Sequence, residues 1–195
     1  MKTRNVIVLV SLFFITGSVA AQTRFYDVSR TFPLDNGVTY QADVGGCGFV
    51  TLYNKAAGNF VNVHQTFRDG SLISREDRLR YDDVVAENSS RMRELGHQII
   101  CNGFSAEERR RLRRDERLNV SLIICSDTGN VKEVHFRFMY DDAFATIPPA
   151  TYHRIEQELK RQLLFTPTDF GRSMNYIFRG WFMDGLWAPP IQFFE

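Results

Sequence analysis

Apolar and polar positions alternate most cleanly in the second half of the chain. From Asn119 to Cys125, Val120, Leu122 and Ile124 share one face; from Val131 to Met139, Val134, Phe136 and Phe138 do the same. Ser126-Asp127-Thr128-Gly129-Asn130 lies between them, with Gly129 suited to a positive φ, so the pattern predicts a β-hairpin. Pro148 and Pro149 then open a helix, where a missing N–H costs little, and Ile155, Leu159 and Leu163 recur every four residues as its core stripe. Pro167 ends that helix. Met174 to Met183 reads as a last strand, with Met174, Tyr176, Phe178 and Phe182 on one face. Strand, strand, helix, strand is an order that buries a helix against one face of a small antiparallel sheet.

The first half is less regular. Val38–Val44, Phe49–Tyr53 and Asn59–Phe67 read as strands, with turns at Ala57-Gly58-Asn59 and Asp69-Gly70. Gly45, Gly46 and Gly48 around Cys47 read as a bulge or turn, since no phosphate-loop lysine follows them. Ser74 to Leu95 reads as a helical connector, and Ile99-Ile100-Cys101 as a short strand-like piece. Ser105-Ala106-Glu107-Glu108 has the layout of a capping box opening a helix. The expectation is an α+β protein: a β-rich N-terminal lobe with its helical connector (22–104), then a helix-on-sheet lobe (105–195).

The N-terminus changes the compartment. Lys2 and Arg4, an apolar run from Val6 to Ile15, and small residues up to Ala21 follow the layout of a secretory signal peptide (1–21) cleaved before Gln22. The run is too short to span a bilayer, which takes about 20 apolar residues, and no later segment qualifies. An exported location, periplasmic or secreted, is expected. Loss of the first 21 of 195 residues leaves 174, and removes two of the 24 basic side chains against 23 acidic ones. A nearly neutral chain has no global field for nucleic acid.

Export also permits disulfides. Of the three cysteines, Cys101 and Cys125 form the candidate pair because both sit in strand-like runs; the alternative is that Cys47, Cys101 and Cys125 are all small buried apolar residues. Their spacing fits no zinc pattern, and no cofactor is implied. The run Arg109-Arg110-Arg111-Leu112-Arg113-Arg114 reads either as an anion-binding face, with Arg110, Arg111 and Arg114 as candidate partner contacts, or as a solvated helix face. Flanking Glu107, Glu108, Asp115 and Glu116 favour the second. Cys125 and His135, in neighbouring strands, form the one conceivable nucleophile–base dyad. Asp82-Asp83 and Asp141-Asp142 read as solvated loop charges. The tail Trp187-Ala188-Pro189-Pro190-Ile191-Gln192-Phe193-Phe194 either packs on the domain or serves as a recognition segment.

Asp127-Thr128-Gly129-Asn130-Val131, Pro148-Pro149, Glu158-Leu159-Lys160, Phe165-Thr166-Pro167 and Gly171 together resemble the C-terminal domain of TonB, over roughly residues 118–183. TonB couples inner-membrane energy to outer-membrane receptors from the periplasm. Here an uncleaved membrane anchor and a Pro-rich spacer are lacking, so the resemblance implies the fold and an exposed sheet edge for an added strand, not energy transduction. The mature chain, through Val50-Thr51-Leu52-Tyr53-Asn54-Lys55 and the hairpin, is also similar to a family of uncharacterised exported bacterial proteins, which implies no catalytic residues. These readings converge on a non-catalytic cell-envelope binding or scaffold module that meets an envelope protein or glycan through a sheet edge or the basic helix. The alternative is an exported enzyme acting on an envelope or dietary polymer in a cleft between the lobes.

Overall fold

The computed structural model describes residues 24–57, 60–86, 89–113 and 115–184. The expected leader (1–21), the Gly58-Asn59 turn, Arg114 and the tail from Trp187 lie outside them. In chain order the elements are β1 (Arg30–Pro33), β2 (Thr39–Val44), β3 (Phe49–Asn54), α1 (Arg75–Leu79), α2 (Ser89–Gly103), α3 (Ala106–Arg111), β4 (Arg117–Ile124), β5 (Val131–Met139), α4 (Pro149–Gln162), α5 (Asp169–Arg172) and β6 (Ile177–Asp184).

The expected hairpin forms as β4 and β5. Gly129 has φ +77°, and a Cβ there would come within 1.8 Å of the Phe165 carbonyl oxygen, so both the backbone angle and the close approach call for glycine. Along β4 and β5 the residues expected on one face, Val120, Leu122 and Ile124 with Val134, Phe136 and Phe138, are buried together, and Leu118 joins them. Helix α4 begins at the prolines as expected and lays Tyr152, Ile155 and Leu159, all fully buried, on that face. The Tyr152 ring stacks on Phe138 at 5.5 Å between centroids, with Tyr26 edge-on to Phe138 at 5.3 Å. Tyr26 and Tyr152 bury their hydroxyls by donating to the carbonyls of Ile147 and Phe144, each at 2.9 Å. Each such buried aromatic contributes about 1.5–3 kcal/mol of apolar transfer free energy.

All six strands form one antiparallel sheet, in the order β1-β2-β3-β5-β4-β6. β3 pairs directly with β5, from Phe49↔Met139 to Tyr53↔His135. The expected division into lobes at residue 104 is therefore corrected: the strands of both halves share one sheet and one hydrophobic core. Buried Glu156 on α4 reinforces this, accepting from the Tyr40 hydroxyl of β2 and pairing with Lys160.

Three further expectations are corrected. Ile99-Ile100-Cys101 is not strand-like but the last turns of α2, whose Gly103 lies against the Ile155 side chain of α4. Asn59–Phe67 is not a strand; its described residues run as turns and isolated bridges along the sheet. The last strand begins at Ile177, and its phase is inverted: Ile177, Trp181 and Met183 face the core, while Phe178 is half-buried and Phe182 exposed on the opposite side. The core-facing strand register selects the odd positions, opposite Ile124, Val120 and Leu118.

Candidate functional site

Helices α2 and α4 cover the inner face of the sheet. The outer face is different in character, because the alternate residues of each strand are polar. Register places Asp43, Thr51, Arg137, Asn119 and Phe182 in one row across β2, β3, β5, β4 and β6. The adjacent row is Gln41, Tyr53, His135, Ser121 and Gly180. A third, shorter row carries Glu133, Ile123 and Phe178. Neighbouring strands stand about 4.8 Å apart, so a row of five spans about 19 Å. Within this surface lies a pocket of ≈ 340 Å³ lined by Asp43, Thr51, Asn119, Ser121, His135 and Arg137, closed on its sides by Phe178 and by Val61 and Asn62 of the loop.

The floor is held by hydrogen bonds. Tyr53 donates its hydroxyl to Asp43 Oδ2 at 2.9 Å, and Gln41 donates to Asp43 Oδ1 at 2.8 Å. Burial and the bond to Asp43 push the Tyr53 hydroxyl up to about 12, so it stays a donor. His135 Nε2 lies 3.1 Å from Glu133 Oε2, with both side chains buried. The Phe60 N–H also donates to Glu133 at 3.4 Å, tying the loop to the sheet, and the Tyr176 hydroxyl donates to the Val63 carbonyl at 2.7 Å. Arg137 is exposed, its guanidinium 5.4 Å from the Phe49 ring centroid. Asn119 differs from these. Its Oδ1 is buried without a hydrogen-bond partner, and it is the one such atom that belongs to a lining residue of this pocket. A buried acceptor left unmade costs about 1–3 kcal/mol, which a ligand donor would recover.

A second concavity, of ≈ 370 Å³, separates α2 from α4. Its polar groups answer one another: Arg154 donates to the Gly103 carbonyl, and Glu158 accepts from Arg161 and Gln162. It has no unpartnered buried polar atom of the kind Asn119 carries.

The residues expected to bind or react are not brought together. The Cys101–Cys125 pair is not formed: Cys101 sits half-buried on α2, Cys125 follows β4, and all three cysteines are free thiols. Nor do Cys125 and His135 meet. His135 lies opposite Ser121, four residues before Cys125, about 13 Å along the strand. Burial pushes the Cys125 thiol up, but hydrogen bonds from Thr128 and Asp127, with Lys132 nearby, hold it below its ordinary value. Of the basic run, Arg114 lies outside the described residues. Arg109 donates to the Cys101 carbonyl, Arg113 pairs with Asp115 at 3.0 Å, Arg111 is half-buried, and Arg110 is exposed. Among the described residues no cluster of His, Cys, Asp and Glu suits a metal ion, and no helix is long and apolar enough to cross a membrane.

Asp43, Thr51, Asn119 and Arg137 carry no local motif. They come from four strands and meet only through register, so no spacing in the chain marks them.

A six-stranded antiparallel sheet with helices on one face and, on the other, a polar trough partly covered by residues 60–65 defines the class: an α+β domain. The chain belongs to the family described as a domain of unknown function, DUF5043, whose model matches residues 22–181. It is similar to the crystal structure of a DUF5043 family protein from Bacteroides uniformis, with 29% identity and a TM-score of 0.74 over 83% of this chain and 88% of that one. No curated protein matches the chain.

Proposed function

We propose that the chain is an exported, non-catalytic binding module of the cell envelope that takes its ligand on the outer face of the sheet. The observation that carries this reading is the polar pocket of ≈ 340 Å³ with an unpartnered buried acceptor, Asn119 Oδ1, in its lining. Export is supported by the basic and apolar N-terminus and by a family match that starts at residue 22, where cleavage is expected. The likeness to the TonB C-terminal domain rests on the run β4, β5, α4, β6, with α4 laid on one face. That likeness points to strand addition at an edge. The edges here are β1, four residues ending in Pro33, and β6. The face is the stronger candidate because its unmet group, Asn119 Oδ1, belongs to a pocket lining, whereas Arg111 Nε of α3, also unmet, lines neither concavity described above. The arginine helix is the weaker one because Arg109 and Arg113 are engaged locally.

The test uses the mature chain, 22–195, on immobilised envelope polymer at low and high salt. Retention at high salt, lost in Asn119→Leu and kept in the double variant Arg110→Glu, Arg111→Glu, is the expected result. Loss in the arginine variant alone would move the site to α3.

One observation favours an enzymatic second reading. Ser121 and His135 are cross-strand partners, both buried, and Glu133 orients the imidazole. The Ser121 hydroxyl makes no hydrogen bond to His135, which leaves the serine without an engaged base. Labelling of Ser121 by a fluorophosphonate, abolished by His135→Ala, would establish this reading; an unlabelled chain would remove it.

A further inference from the structure

The chemistry of the trough narrows the ligand. Its charges are balanced: Asp43 stands against Arg137, and Glu133 has His135 beside it. A phosphate, sulfate or polyanion site needs a surplus of cations and converging N–H groups, and a cationic ligand needs a surplus of carboxylates. Neither surplus exists here. What the trough offers is a mixture: the hydroxyls of Thr51 and Ser121, the amides of Asn119 and Asn62, the donor fork of Arg137 and the acceptor oxygens of Asp43. The ligand that answers such a mixture carries several groups that each donate and accept.

The β6 side adds an apolar requirement. Phe178 and Phe182 stand on the same face two positions either side of Gly180, which lies opposite Ser121. Gly180 lets the Phe178 ring fold over the strand: a Cβ there would come within 3.3 Å of that ring and 3.8 Å of Asn119 Oδ1, so the ring edge and the Asn119 amide sit side by side. Phe182 is 61% exposed and shares this face with Phe178, so the two rings together give the β6 side of the trough an apolar character. A flat C–H surface about the size of one six-membered ring fits beside these rings while its edge reaches Asn119 and Arg137. The volume of ≈ 340 Å³ is at the lower end of the ~300–1,000 Å³ range of small-molecule sites and suits one ring or two rather than a long polymer segment.

We infer that the trough binds a short uncharged sugar of one ring or two, seated with a C–H face on Phe178 and Phe182 and hydroxyls on Asn119 and Arg137, the second ring reaching Asp43. Asn119 Oδ1 lies just behind the lining, and turning of its side chain toward the sugar lets a hydroxyl donate to it and satisfy the acceptor. Arg137 donates to a hydroxyl of the first ring and Asp43 accepts from one of the second. The inference rests on the reading of the trough as the binding site.

The experiment is a binding screen of the mature chain against printed neutral oligosaccharides, sulfated and sialylated oligosaccharides, and free amino acids and dipeptides, followed by saturation-transfer NMR on the hits. The expected result is binding to neutral oligosaccharides that persists at high salt, with saturation reaching the ring C–H protons. Affinity falls about tenfold or more in Asn119→Leu and in Phe182→Ala. Phe182 is exposed, so its removal leaves the fold intact, as near-ultraviolet circular dichroism checks. Binding confined to sulfated or sialylated sugars, or abolished by salt, overturns the sugar class proposed here. Amino-acid or dipeptide binding that Asn119→Leu abolishes keeps the trough as the site and overturns the sugar. Binding to nothing in the screen overturns both.

Discussion

At the scale of single residues, the polar groups among the described residues divide into those that hold the fold and four buried atoms without a partner, of which Asn119 Oδ1 belongs to the trough. Glu108 belongs to the first group. It closes the capping box of α3, accepting from the Ser105 N–H, while the Ser105 hydroxyl accepts from the Glu108 N–H at 3.1 Å and Thr151 of α4 donates to its other oxygen at 2.8 Å. Burial pushes its carboxyl up, but these hydrogen bonds, with Arg154 nearby, outweigh it and hold the group below the ordinary carboxylate value. The stability linked to a depressed carboxyl is present above its unfolded-state value and is lost as pH falls through the folded one. Glu108→Gln should therefore lower stability by about 1 kcal/mol at neutral pH, allowing for solvent screening. The gap between the two proteins should close as urea unfolding is repeated towards pH of about 3. A constant gap would mean that packing, not charge, is what the substitution removes. Asn119 is the contrasting residue, a buried acceptor with nothing to accept from.

At the scale of elements, the hairpin of β4 and β5 and the proline-led helix α4 could be read from alternation, a glycine turn and a four-residue stripe, because each is determined locally. Two elements could not. In β6 the apolar residues occupy both faces, so Met174, Tyr176, Phe178 and Phe182 make as good a stripe as Ile177, Trp181 and Met183; only pairing with β4 selects the second. In α2, Ile99-Ile100-Cys101 has strand-like composition, but packing against α4 at Gly103 and against Trp181 at Gly96 keeps it helical. The phase of β6 gives a sharp contrast between adjacent aromatics. Trp181→Ala opens a cavity beside α2 and should cost about 3–5 kcal/mol. Phe182→Ala, on the exposed side, should fall within about 0.5 kcal/mol of the parent. Thermal or denaturant unfolding distinguishes them, and the reverse order would restore the other phase.

At the scale of the whole molecule, the outer-face trough exists only because the two halves of the chain build one sheet. The step from β3 to β5 joins residues 82 to 90 positions apart, 86 in Thr51↔Arg137, and no local signal announces such a pairing. That is why the sequence reads as two lobes where the chain builds one sheet, and why Asp43 and Thr51 could not be placed beside Asn119 and Arg137. Residues 105–195 expressed alone would leave the β5 edge unpaired and remove Tyr26 and Tyr40 from the core. That fragment should show no cooperative unfolding transition and poor amide dispersion. A stable, cooperatively folding fragment would return the two-lobe description.

Mapping amide chemical shifts on the labelled mature chain tests whether the outer face of the sheet is the working surface. Spectra would be recorded before and after adding soluble neutral oligosaccharides released from envelope polymer. The account predicts perturbed amides around Thr51, Asn119, Ser121, Arg137 and Gly180, with α3 and β1 unmoved. Shifts confined to α3, to β1 or to the groove between α2 and α4 would contradict it.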